Sequence, residues 1–124
     1  MISITEVEAM LEQAAEKIPQ ELYRDLNGGI ILLPEAKLHP GNIANDLYIL
    51  GEYHRSRAMG RYIAIYYGSF EKASAHLSNK QLKKKLEHTL KHEFTHHIES
   101  LAGERDLEIE DERNIARYLR RHRR

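Results

Sequence analysis

The chain has 124 residues, enough for one domain to bury a core without covalent staples. Its 19 basic and 19 acidic residues cancel, so no global field draws it towards nucleic acid or an anionic membrane. The absence of cysteine excludes disulfides and thiolate metal sites, leaving His and carboxylate as metal ligands.

The first residues, Met1-Ile2-Ser3-Ile4-Thr5-Glu6, carry neither a basic start nor an apolar core of a targeting segment. No apolar run approaches membrane length, so the expected location is the cytoplasm, with no membrane partner. Thr5 or Ser3 can cap a first helix, with Glu6 and Glu8 in its first turn. Val7, Met10, Leu11, Ala14, Ala15 and Ile18 recur at helical spacing, and Pro19 ends the run. Asn27-Gly28-Gly29 signals a turn, and Ile30 to Leu33 is a short apolar β-type run stopped by Pro34.

The stretch Leu38 to Asn45 contains Pro40-Gly41 and reads as loop. Two further strands are expected, Leu47 to Tyr53 and Arg61 to Tyr67. In the second, Tyr62, Ala64 and Tyr66 alternate with Ile63, Ile65 and Tyr67, so both faces should be partly covered. From Ser78 or Asn79 a long helix is expected to run to Ala102. Leu82, Leu86, Leu90, Phe94, Ile98 and Leu101 trace its apolar stripe, and Gly103 is a natural stop. A final helix is expected from Glu110 to Arg121, with Ile115, Tyr118 and Leu119 on its buried side. This order predicts a single α+β domain over residues 1–124. A small three-stranded or larger mixed sheet would pack on the long helix.

Residues 92 to 96 of that helix read His-Glu-Phe-Thr-His. Residues four apart stack on one helix face, so His92 and His96 can direct their imidazoles at one point. Neutral imidazole is a good zinc ligand, and Glu93 stands where it can take a proton from activated water. With 8 His in the chain, chance placement gives only roughly 0.06 such patterns. At about 100° per residue, His92 and His96 lie opposite the apolar stripe, as a cleft-lining helix requires. Solvent-facing polar residues would show the same periodicity. His88 extends the polar face by one turn, where a solvated role competes with a site role. His97 points into the stripe and reads as a core histidine with hydrogen-bonded ring nitrogens.

A catalytic zinc needs a third protein ligand. A helix running to Gly103 carries the chain about 10 Å past His96, and it must then return by a similar distance. Asp106 reaches only when fully stretched, whereas Glu108 and Asp111 have slack. Asp111 is the preferred third metal ligand, although it is equally suited to cap the last helix.

The segment Leu90-Lys91-His92-Glu93-Phe94-Thr95-His96-His97 resembles the small bacterial metallopeptidase-like proteins with a minimal zincin fold. Leu50-Gly51-Glu52-Tyr53 is similar to the family's Leu-Gly-x-Tyr strand. Ile109-Glu110-Asp111-Glu112-Arg113 is similar to its Asp-Glu-Arg stretch, with Glu99 to Glu108 as an insertion. The resemblance implies a zinc-dependent hydrolase acting on a peptide or protein substrate, with Zn2+ on His92, His96 and Asp111 and with Glu93 catalytic. A catalytically inactive zinc-binding regulatory or partner-binding module is the alternative.

The strand Arg61 to Tyr67 would border the cleft and bind substrate backbone. Tyr53, Tyr66 and Tyr67 are candidates to stabilise an oxyanion, with packing as their competing role. The tail Arg117 to Arg124 is a basic cluster that suits a solvated helix end better than a nucleic-acid contact.

Overall fold

The computed structural model describes the backbone of residues 1–41 and 47–121, with side chains through residue 104 and at residue 117. Helix α1 (Ile4–Glu16) starts at Ser3, whose hydroxyl accepts from the Glu6 main chain while the Glu6 carboxylate reaches back to Ser3. This capping box satisfies two N–H groups that the first turn leaves free. A 3-10 turn (Gln20–Tyr23) follows Pro19.

Strand β1 (Gly29–Leu33) pairs in parallel with β5 (Gly60–Tyr66), and β4 (Gly51–Ser56) pairs antiparallel with β5 on its other side. The sheet order is therefore β1-β5-β4, a mixed sheet with the predicted second strand at its centre. The expected strand from Leu47 to Tyr53 divides at Leu50. Its first part, β3 (Tyr48–Ile49), pairs with β2 (Lys37–Leu38) in a separate two-stranded sheet. Part of the expected Leu38 to Asn45 loop lies outside the described residues.

Tyr67, expected to end β5, instead begins helix α2 (Tyr67–Ser74). Gly68 permits this turn. A Cβ there would sit 2.5 Å from the Ala36 nitrogen and 2.6 Å from the Glu35 carbonyl carbon. Its own N–H donates to the Glu35 carbonyl at 3.1 Å.

Helix α3 (Asn79–Arg121) opens with a second capping box, between Ser78 and Gln81. It passes through Gly103 without stopping, so the expected break and separate last helix are replaced by one continuous helix. Gly103 has no left-handed φ, the conformation a glycine stop adopts. Among the described residues, no helix is long and apolar enough to cross a membrane.

One core joins Val7, Leu11, Ala14 and Ile18 of the α1 region, Ile63 and Ile65 of β5, Phe70 of α2, and Leu82, Leu86, Leu90 and Phe94 of α3. Ala64 and Tyr66 are buried too, so β5 is covered on both faces as its pattern predicts. The α3 stripe departs from expectation beyond Phe94. Steps of four residues drift by about 40°, and the next step brings Ile98 out to 41% exposure. His97, three residues after Phe94, takes the inward position and is fully buried. The molecule is an α+β domain with its sheet packed against the His-bearing helix.

Candidate functional site

His92 and His96 are both exposed, and their Nε2 atoms face each other at 3.1 Å with the rings at 90°. Two nitrogens on a tetrahedral zinc, each at about 2.0–2.1 Å, stand about 3.3 Å apart. The pair therefore has nearly the spacing that one shared cation requires. Without a cation, the same approach needs one ring to donate to the other. Glu93, between them in sequence, turns inward and is only 6% exposed.

Burial pushes the Glu93 carboxyl above its ordinary pKa. The nearby Glu52 carboxylate adds to the shift, while His96 and the main-chain N–H of Tyr53 oppose it. These residues line a cleft of about 650 Å³ between α3 and β4. Strand β4 comes close to the helix because position 51 is glycine. A Cβ there would lie 3.0 Å from both Thr89 Cγ2 and Ile65 Cδ1.

The expected role of the Arg61 to Tyr67 strand is corrected by the sheet order. Both edges of β5 are paired, so it has no edge to offer an added strand. Strand β4 is an edge strand, and it is the one that lines the cleft beside α3.

The three tyrosine hydroxyls proposed for an oxyanion are all engaged elsewhere. Tyr66 donates to Glu52 at 2.7 Å, and Tyr67 donates to the Ile2 carbonyl at 2.8 Å. Tyr53 lies 2.8 Å from Nδ1 of His97, whose Nε2 lies 2.7 Å from the Arg24 carbonyl oxygen. A carbonyl only accepts, so Nε2 carries the proton and Nδ1 accepts from Tyr53. The Tyr53 oxygen in turn accepts from Arg61 at 3.0 Å. His97 is thus the hydrogen-bonded core histidine that its position on the helix predicts.

Glu52 is the cleft residue that motif reasoning passed over. Its Oε1 accepts from Lys37 and from Tyr66, and His54 Nε2 stands 3.4 Å away. Burial raises its pKa, but the Lys37 and Tyr66 hydrogen bonds outweigh this and hold it below the ordinary value. The available signal was an acid between Gly51 and Tyr53 inside a predicted strand. His88 is exposed and outside the cleft lining.

The side chains of Asp106, Glu108 and Asp111 lie outside the described residues. Along a continuous helix, position 111 is about 22 Å beyond position 96, so the anticipated return of the chain after Gly103 is absent. Among the described residues, no group of three His, Asp or Glu side chains is placed to hold a metal.

No protein-family model matches the chain, and neither does any curated protein. A solved structure does. It is described as a conserved hypothetical protein from Thermus thermophilus, 33% identical, with a TM-score of 0.68. The match covers 82% of this chain and 99% of that one. With that identity across nearly the whole of the solved structure, the chain belongs to the same family as the T. thermophilus protein.

Proposed function

We propose that the protein is a zinc-dependent metallopeptidase with a minimal zincin-like fold. The observation that carries this reading is the His92 and His96 pair, with Nε2 atoms 3.1 Å apart in the lining of a cleft. His92 and His96 would hold the metal; Asp111, the third ligand that the family resemblance suggests, stands about 22 Å further along the continuous α3 and would join them only if that helix broke near Gly103. When bound, zinc supplies Lewis acidity that acidifies water and polarises a peptide carbonyl.

Glu93 acts as general base. Its raised carboxyl brings it closer to the range in which a carboxylate accepts a proton and later returns it to a leaving amine. The outer edge of β4 offers main-chain groups to an extended peptide.

The test is zinc content together with peptide turnover, for wild type and Glu93→Gln. Loss of turnover with zinc retained supports the reading. Purified wild type that takes up no zinc overturns it. Stoichiometric zinc without cleavage of a diverse peptide library would favour a binding module instead.

A further inference from the structure

Beside the metal cleft lies a second concavity of about 500 Å³ whose lining includes Arg55, Arg57, Arg61, Asp25 and Glu104. The two spaces adjoin. Arg55 lines both, and Ser100 of the cleft accepts from Arg61 Nη1 at 2.7 Å. His92, His96, Ser100 and Glu104 follow one another at four-residue intervals, so they form a single stripe along α3. At the far end of this stripe the guanidinium groups of Arg55 and Arg61 converge on the two oxygens of Glu104.

We propose that Arg55 and Arg61 form a carboxylate-binding subsite for a peptide lying in the cleft, and that Glu104 is the internal carboxylate that holds it in the absence of ligand. The placement of the peptide rests on the peptidase reading above. The arginines themselves do not depend on it.

Three arginines face two acids in this concavity, and Asp25 is already beside Arg24 at 3.7 Å. Arg61 is held ready by its bonds to Tyr53 and Ser100 and is only 14% exposed. A fixed guanidinium presents a planar fork that matches a carboxylate. Glu104 is more exposed, at 37%, so its carboxylate can move out into water when an incoming carboxylate takes its place. Glu104 is eight residues from His96, about 12 Å along the axis. An extended peptide covers that distance in roughly four residues. The ligand is therefore a peptide with a carboxylate, either an acidic side chain or the C-terminus, a few residues from the bond at the metal.

The experiment is fluorescence anisotropy of labelled heptapeptides on the full chain carrying Glu93→Gln, with and without zinc. In one series a single Glu is moved along a neutral peptide and compared with Gln. In the other, free and amidated C-termini are compared. One of the two carboxylate sources should bind on the order of tenfold tighter than its neutral counterpart. The difference should widen in Glu104→Gln and vanish in Arg55→Met, with thermal unfolding showing both variants folded. Equal binding of acidic and neutral peptides, no peptide binding at all, or a preference that survives Arg55→Met overturns the proposal. An acid preference in protein that takes up no zinc keeps the subsite and sinks the zinc reading. Zinc-dependent turnover without acid preference does the reverse.

Discussion

His97 on α3 and Tyr53 on β4 are joined by a hydrogen bond of 2.8 Å that ties the metal-motif helix to the edge strand of its cleft. The bond belongs to a chain in which every polar group has a partner, running from Arg61 through Tyr53 and His97 to the Arg24 carbonyl. Removing a fully buried member leaves both a void and unpaired polar atoms. His97→Ala should therefore destabilise the protein by about 2–4 kcal/mol, read from chemical denaturation. His88→Ala, on the exposed face, should change stability by less than about 0.5 kcal/mol.

The two exposed histidines should behave differently. His92→Ala and His96→Ala each remove one proposed zinc ligand while leaving the core untouched. Replacing partners outside the direct ligands commonly costs 10–100-fold in metal affinity, so losing a direct ligand should cost roughly 100-fold or more. The measurement is zinc titration by calorimetry, with circular dichroism confirming an unchanged fold. Unaltered zinc affinity in both variants would remove the histidines from the site.

Glu93 gives a pH dependence with a definite sign. Its folded pKa is raised above the ordinary 4.5, chiefly by burial. Between those two values the folded state holds a proton that the unfolded state has released, so stability falls as pH rises through the interval. Above it, the ionised carboxylate is a standing cost. In metal-free protein, Glu93→Gln should raise the melting temperature at pH 7, and the gain should shrink towards pH 4. Glu52 has the opposite sign, because Lys37 and Tyr66 hold it below 4.5. Its contribution is present above 4.5 and lost as pH falls through the lowered folded value. Glu52→Gln should therefore cost stability at pH 7 and little in strong acid. A Glu93→Gln variant that melts lower than wild type at pH 7 would show that the buried carboxylate is not a cost.

What the sequence reveals and conceals here follows the range of the forces involved. The α1 cap at Ser3 and Glu6, the centre of α3, and the facing of His92 and His96 depend on contacts within one or two turns, so local pattern predicts them. Helix α2 was hidden because Tyr66-Tyr67 has strand composition. Its start is set by Gly68 against residues 34 to 36, a contact more than thirty positions away in sequence. Likewise Glu52, Tyr53 and Arg55 enter the cleft only through the register of β4 on β5, in which Tyr53 faces Ile63. The inward turn of His97 was legible because helical phase alone determines it.

Gly103 distinguishes the expected helix stop from the continuous helix. A stop of that kind puts glycine in the left-handed region, where alanine is strained, and the substitution would then destabilise. Inside a helix the sign reverses, because alanine is the better helix former by about 1 kcal/mol. A Cβ on Gly103 would meet nothing within 4 Å, so no clash offsets that gain. Gly103→Ala should thus increase the helical circular dichroism signal and leave the melting temperature unchanged or up to about 4 °C higher. Gly68→Ala supplies the contrast, since its Cβ would meet main-chain atoms at 2.5–2.8 Å that have no freedom to move aside. It should cost about 3 kcal/mol, the upper end for overpacking. If Gly103→Ala instead lowered helicity, the helix would end at that glycine. The chain beyond it would then be free to bring Asp111 back towards His92 and His96, so this one substitution also bears on the third metal ligand.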